Sequence, residues 1–421
     1  VTKQSVPLRR VARIINGGTP TPDPENWNGK IPWATPVDLG RTNGFSLSET
    51  GRNLTILGAL SGSAIAPKSS VLLSTRAPIG YVAINEVPMA FNQGCKALIP
   101  ADGVSARFLK YALIHTEPQL QSMGQGSTFL ELSASALASV EIPLPTTDVQ
   151  VRTVDFLDKE TAQIDGLIGK QERLIELLIE KRQAIITHTV TRGLDPTAPT
   201  KPSRTPWLNA APEHWTKIKL SWAFRFLNGD RGSNYPSRDE FQPEGVAFIN
   251  AGHLSGGRVD LSTMNYISRE KYEELGGAKL RVGDVLYCLR GSLGKHALLT
   301  GLQEGALASS LVALRALHNA RVSPAYLALL FKSPAAETQL AIIASGSAQP
   351  NMSVENLQSF SFPIPPLEEQ QRILDYVNRK CDRLNTIQGT ARKMVLRLQE
   401  RRSALISAAV TGKINVQEGI A

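Results

Sequence analysis

Metal-dependent cleavage of a phosphodiester calls for an acid followed by Glu-x-Lys or Asp-x-Lys on a strand, which together hold a cation and a water. Neither tripeptide occurs anywhere in the 421 residues. Adenine methyl transfer in its familiar form needs Asn/Asp-Pro-Pro-Tyr/Phe and a Gly-x-Gly cofactor loop. The first is absent, and the one Gly-x-Gly, "GQG" at 124–126, has no strand-to-helix setting. No G-x-x-x-x-G-K-[ST] phosphate cradle is present either. The six histidines, His115, His188, His214, His253, His296 and His318, show no metal-ligand spacing. Cys95, Cys288 and Cys381 are few, odd in number and far apart, which predicts three reduced thiols rather than a disulfide framework or a zinc site. Taken together, these residues favour a protein that binds over one that makes or breaks bonds, with no catalytic residue, metal or cofactor of its own.

What the chain does offer is charge and amide chemistry. Its net charge is +9, spread along the sequence rather than held in a tail. Such an excess on folded domains suits a polyanion such as DNA, and suits an ordinary charged surface equally well. The hydrophobic content of 42% and charged content of 20% are globular values. A chain this long predicts two or more domains. No apolar run reaches the ~18 residues of a membrane span. The sequence opens on no export leader, and the expected location is cytoplasmic.

The elements that must position these groups are announced by an internal repeat. "VEIPLPTTDVQVRTVDFLDKETAQID" begins at Val140, and "FSFPIPPLEEQQRILDYVNRKCDRLN" at Phe360, 220 residues on. "EKRQAIITHTVTRGLD" (180–195) matches "ERRSALISAAVTGKIN" (400–415) at the same offset. Upstream, "LRRVARIINGG" (8–18) matches "LSWAFRFLNGD" (220–230), "SVLLSTRAPIG" (70–80) matches "DVLYCLRGSLG" (284–294), and "GSTFLELSASALASVEIPLP" (126–145) matches "GSAQPNMSVENLQSFSFPIP" (346–365). Each half is thus a divergent domain followed by a better preserved segment.

The preserved segment reads as helix. Pro143 and Pro145, then Pro363, Pro365 and Pro366, hold the chain extended. A helix is predicted to start near Asp148 or Glu368, with acids in its first turn. Gly166 and Gly169, and Gly389 in the other copy, predict a weak point between a short and a longer helix. Beyond it a seam in steps of three and four runs through Leu167, Gln171, Leu174, Leu178, Lys181 and Ile185. The second copy repeats it as Ile387, Ala391, Met394, Leu398, Arg401 and Leu405. That is coiled-coil spacing, and equal register predicts that the two helices pair with each other. The divergent domains hold short Val-, Ile-, Leu- and Tyr-rich runs between Gly, Pro, Asn and Ser clusters, the pattern of strands and turns. Residues 105–123 and 323–344 interrupt this pattern as helices. Trp27 and Trp33 are expected to be structural.

"INGGTPTPDPENWNGKIPWATPVDL" (15–39), "VLLSTRAPIG", "FNQGCKALIP" (91–100) and "DKETAQIDGLIGKQERLIELLIEKRQAIITHTVTRGLD" resemble the specificity (S) subunit of type I restriction-modification systems. "FPIPPLEEQQRILDYVNRKCDRL" extends the resemblance to the second half. It implies an α+β fold: two mixed α/β target-recognition domains separated by two long helical regions pairing as an antiparallel coiled coil, with pseudo-two-fold symmetry. The corresponding boundaries are 1–145 for the first recognition domain, 146–195 for the first helical spacer and 196–211 for a connector. The second domain is 212–365 and the second spacer 366–415, with a tail at 416–421. The resemblance further implies that each domain reads half of a bipartite, asymmetric site on double-stranded DNA. The helices would dock two copies of a methylation subunit that carries S-adenosylmethionine, and a motor-nuclease restriction subunit would join for cleavage.

Sequence reading would fall to polar side chains in the loops of each domain, and affinity to Lys and Arg on phosphates. In the first domain the candidates are Thr35, Asp38, Arg41, Arg76, Asn92, Gln93 and Thr128. In the second they are Asn250, His253, Arg258, Arg290, Ser309 and Ser310. The second half lacks the WNG…IPW run and has "ALASSLVAL" (306–314) in place of "FNQGCKAL", so Asn92 and Gln93 map only loosely onto Ser309 and Ser310. Arg76 and Arg290 occupy matching repeat positions, which favours a shared phosphate-positioning role. About 30 helical residues at ~1.5 Å each span about 45 Å, comparable with one DNA turn, so helix length would set the distance between half-sites. Two other readings stay open: a coiled-coil scaffold with no DNA role, and a stand-alone DNA-modifying enzyme.

Overall fold

The computed structural model describes residues 5–42, 46–125, 130–205, 207–230, 232, 234–344, 351–414 and 416. Two compact units divide the chain: Val1–Arg173 with Ala391–Ala421, and Leu174–Thr390. Each takes one loop-rich mixed domain and one stretch of each of two long helices. The division therefore cuts through the helical segments instead of falling at their ends.

In the first unit, a five-stranded sheet runs in the order Ala12–Asn16, Cys95–Pro100, Val71–Ser74, Val82–Asn85 and Ser46–Leu47. A second sheet runs Asn53–Leu54, Trp27–Ala34, Met89–Phe91 and Ala64–Ala66. Its central pair is parallel, with Trp33 opposite Ala90. Val71–Ser74 is buried on both faces, as an uninterrupted apolar run requires. The helix Ala106–Ser122 shares one core with the first sheet. The second unit repeats the plan. One sheet is Phe224–Asn228, Leu311–Ala316, Val285–Cys288 and His296–Leu298; the other is Asn265–Ile267, Val246–Ile249, Gly305–Leu307 and Lys279–Leu280. The helical run expected at 323–344 breaks at Lys332–Ser333 into Pro324–Phe331 and Pro334–Ala344, because a proline starts the second piece. Thr200–Thr205 and Leu208–Pro212 form a hairpin where only a turn-rich connector was expected. All three cysteines are free and buried.

The long helices are Thr147–Arg192 and Leu367–Val410, 46 and 44 residues without a break. The weak point expected at Gly166, Gly169 and Gly389 is absent. A glycine costs a helix about 1 kcal/mol, too little to interrupt a seam that continues on both sides. The seam itself differs by one step from its expected register. In the first helix protected positions in alternating steps of four and three run through Gln150, Val154, Leu157, Thr161, Ile164, Ile168, Gln171, Ile175, Leu178, Arg182, Ile185 and Thr189. The second helix repeats every one of them 220 residues later, from Gln370 to Ala409. Leu167, Leu174, Ile387 and Met394 are exposed, as are Lys181 and Arg401. Leu178 and Leu398 are buried, and Ile185 and Leu405 are half-buried.

Within the first unit the two helical stretches run antiparallel. Val154 and Leu157 share a core with Ile406, Ala409 and Val410, while further along Arg402 Nε donates to Asp165 Oδ1 at 2.8 Å. In the second unit the roles exchange, and Ile186 and Val190 share a core with Ile373, Leu374, Val377 and Cys381. A buried glutamine locks each helix start to its recognition domain. Gln150 Nε2 donates to the carbonyls of Gly103 (3.2 Å) and Pro145 (2.9 Å), and its Oε1 accepts from Ser105 N at 2.9 Å. Gln370 Nε2 donates to Arg321 O (2.7 Å) and Pro365 O (2.9 Å), and its Oε1 accepts from Ser323 N at 2.9 Å. Ser105 and Ser323 are themselves the N-caps of the domain helices, so one amide aligns three chain segments. In the first unit, Arg107 and Tyr111 add a second tie through Asp158, the Tyr111 hydroxyl donating at 2.6 Å.

Candidate nucleic-acid interface

The strand Trp27–Ala34 runs out at Thr35, which caps the short helix Pro36–Arg41. Asp38 Oδ2 accepts from Thr35 N at 2.9 Å and from Thr35 Oγ1 at 2.6 Å, a reciprocal capping box. Asp38 Oδ1 accepts from Gly51 N at 3.0 Å, and the carboxylate is buried. The unit-two counterpart is the strand Val246–Ile249 and its cap Asn250. Asn250 Oδ1 accepts from Gly252 N at 2.8 Å, and His253 Nδ1 accepts from Asn250 N at 3.1 Å. His253 Nε2 lies 3.1 Å from the Thr263 carbonyl, and burial lowers the pKa of the ring, which favours the neutral form donating from Nε2. Thr35, Asp38, Asn250 and His253 were expected at base edges. Their side chains are instead occupied in shaping the loop, and two of the four are buried.

The same loops are stitched together by matching backbone bonds. Asn92 N donates to Ala34 O (2.9 Å) in one unit, and Ala308 N to Ile249 O (2.9 Å) in the other. Asn92 therefore corresponds to Ala308, so Ser309 and Ser310 stand where Gln93 and Gly94 do. Asn92 Oδ1 is turned onto Gly94 N at 3.0 Å. Gln93 is exposed and accepts from Thr19 Oγ1. Ser309 hydrogen-bonds the Tyr235 hydroxyl, whose ring packs edge-on to Phe248 at 5.5 Å.

Arg76 and Arg290 are brought to equivalent places. Thr75 N donates to Gly94 O (2.8 Å) and Leu132 N to Thr75 O (2.8 Å); Leu289 N donates to Ser310 O (2.9 Å) and Met352 N to Leu289 O (3.0 Å). Each arginine thus sits in the turn of a β-hairpin, Val71–Ser74/Val82–Asn85 or Val285–Cys288/His296–Leu298. Their electrostatic settings differ. Arg76 pairs with Glu131 at 2.9 Å, whereas the backbone partner of Arg290 is Asn351 and no ion pair holds Arg290 among the described residues. Behind Arg76, Lys96 Nζ donates to Asn16 Oδ1 at 3.1 Å. Burial lowers the pKa of Lys96, with Glu131 pulling the other way and Arg76 adding to the effect.

Arg41 is exposed at the far end of its short helix, and Arg258 is exposed on the small hairpin Leu254–Ser255/Arg258–Val259. Thr128 lies outside the described residues. Sequence reasoning missed Arg52, which is exposed with its guanidinium 3.6 Å from the Trp27 ring centroid. Trp27 and Trp33 are structural, as expected: both are buried, edge-on at 5.1 Å, with indole N–H groups donating to Thr21 O and Gly18 O. Only the WNG…IPW run next to a lone arginine could have signalled Arg52.

Two loop-bearing mixed domains, each locked by a glutamine to long helices of repeated seam, define a duplicated recognition scaffold. The chain belongs to the type I restriction modification DNA specificity domain family, whose model matches residues 1–176 and again 212–393. It is 27% identical over 420 residues to the type I restriction enzyme MjaIX specificity subunit of Methanocaldococcus jannaschii, covering 98% of this chain and 93% of that one. It is 23% identical over 434 residues to the EcoBI specificity subunit of Escherichia coli, covering 99% and 81%. Its fold matches a chain from a solved structure described as the structural basis of complex assembly and conformational transition of the type I R-M system. The TM-score is 0.74 at 15% identity, with 98% of each chain covered. The protein is a type I restriction-modification specificity subunit that recognises DNA. No helix among the described residues is long and apolar enough to cross a membrane.

Proposed function

We propose that each unit reads one half of a bipartite, asymmetric site on double-stranded DNA. The observation that carries this reading is the repeated seam. Twelve protected positions in alternating steps of four and three recur at one offset of 220 residues, and a buried glutamine opens each run. Two helices that repeat the same face, paired antiparallel within each unit, offer one docking patch twice, which suits two copies of a methylation subunit. The recognition loops are where the halves diverge, which suits two unlike half-sites. In this account the chain carries out no chemistry. S-adenosylmethionine resides on the methylation partner, a motor-nuclease subunit joins for cleavage, and the assembly works in the cytoplasm. Arg76, Arg290, Arg41, Arg258 and Arg52 supply phosphate contacts; Gln93, Ser309 and Ser310 are the polar groups nearest base edges.

The test is a genome-wide map of base methylation in cells with and without this chain. A split motif that vanishes on deletion is the expected result. A map unchanged by deletion contradicts the proposal, and methylation by the purified chain alone with S-adenosylmethionine would favour the stand-alone enzyme.

A further inference from the structure

Each unit has a cleft where its hairpin turn approaches the long helices, and the two clefts differ in charge. In the first unit the cleft holds about 470 Å³ and is lined by Glu117, Asp165 and Glu172 with one cation, Arg402, already paired to Asp165 at 2.8 Å. The corresponding cleft of the second unit holds about 560 Å³ and is lined by Arg182, Lys295 and Lys332 with one carboxylate, Glu337. The repeat shows how the sign was reversed. Arg182 is the counterpart of Arg402, but the position matching Asp165 is Asn385. Tyr81 becomes Lys295, which shares its place in the hairpin, and Ile114 becomes Lys332, nine residues past each helix cap.

No carboxylate pairs with Arg182, Lys295 or Lys332 among the described residues. Lys332 is half-buried and crosses Gly257, where a Cβ would lie 2.3 Å from its Cε. That glycine, at φ +81°, therefore leaves room for the ammonium to reach the cleft. Burial lowers the Lys332 pKa, and the neighbouring Arg182 and Arg258 lower it further. Cations of one sign around a cleft focus the field there and raise the local concentration of anions. The turn that lines the cleft at Leu293–Lys295 also carries Arg290, and Arg258 adjoins Lys332, so the cleft continues the proposed DNA face of this unit.

We infer that the Arg182–Lys295–Lys332 cleft is an anion site for the duplex backbone, holding DNA phosphate in the second unit with no counterpart in the first. The inference rests on the DNA-binding reading above. It makes the two units unequal: the second supplies more of the sequence-independent affinity.

The test is a salt titration of the full chain with a random-sequence duplex and a site-containing duplex, followed by fluorescence anisotropy from 50 to 200 mM salt. Arg182→Gln/Lys332→Gln is expected to weaken both duplexes about three- to tenfold and to lower the slope of log affinity against log salt by about one to two. Lys295→Gln, a surface change that leaves packing intact, should lower the slope by about one. Arg402→Gln, its charge already neutralised, should leave the slope unchanged. Wild-type slopes in both basic-cleft variants overturn the inference while leaving the DNA reading intact. Unchanged DNA binding with loss of a co-purifying methylation subunit also overturns it, by assigning the cleft to an acidic protein surface. A wild-type chain with no salt-dependent duplex binding sinks the DNA reading and this inference with it.

Discussion

Replacing Gln150 or Gln370 with leucine keeps side-chain volume and removes three hydrogen bonds at a buried site. In the first unit the substitution orphans Ser105 N–H, the N-cap amide of the domain helix, and frees the carbonyls of Gly103 and Pro145. Gly103 is exposed and Pro145 half-buried, so their carbonyls regain water. The loss is then dominated by one amide, about 2–3 kcal/mol for Gln150→Leu. In the second unit Pro365 is buried, so its carbonyl is orphaned along with Ser323 N–H, and Gln370→Leu costs about 3–4 kcal/mol. For units of about 200 residues each kcal/mol lowers Tm by about 2–4 °C. The first variant should melt about 5–10 °C lower and the second lower still. Because the glutamines lie in different units, the double variant should show the two losses added. Differential scanning calorimetry of the full chain reads all of this. Losses under about 0.5 kcal/mol, or an equal cost at both positions, would refute the reasoning.

Alanine at Arg76 or Arg290 should weaken DNA binding across sequences and lower the salt slope by about one; Arg290, in no ion pair among the described residues, should show the larger effect in anisotropy titrations. Leu178→Ala and Leu398→Ala, at buried seam positions, should each cost about 2–4 kcal/mol, whereas Leu174→Ala and Met394→Ala, at 36% and 43% exposure, should cost under about 1 kcal/mol in urea unfolding. Inserting four residues after Gln171 and after Ala391 adds one four-residue step to each seam, a stutter that a coil absorbs by local unwinding. The added ~6 Å per helix should lengthen the preferred DNA spacer by one to two base pairs while both half-sites stay the same, as methylation mapping would report.

The duplication, the helix starts and the strands were legible because proline punctuation and apolar runs act locally. Helices expected near Asp148 and Glu368 begin at Thr147 and Leu367. The seam was read one step out for a specific reason. Gln171, Leu178 and Ile185 belong to two alternative 4-3 patterns, one through Leu174 and one through Ile175, and both residues are apolar. Only tertiary packing chooses between them. The glutamine clamps escaped notice because a buried amide looks like any polar residue until its three partners, up to 49 residues away, are in place. Thr35, Asp38, Asn250 and His253 looked like base readers because capping and recognition draw on the same polar residue types. The contrast between Arg76 with Glu131 and Arg290 with Asn351 depends on a backbone bridge that no spacing in the sequence announces.

The central claim is that each unit reads its own half-site. It is tested most directly by exchanging residues 212–365 for the matching domain of another specificity subunit and mapping methylation in cells. The account requires one half of the motif to change while the other half and the spacer persist. Alteration of both halves together, or of neither, would contradict it.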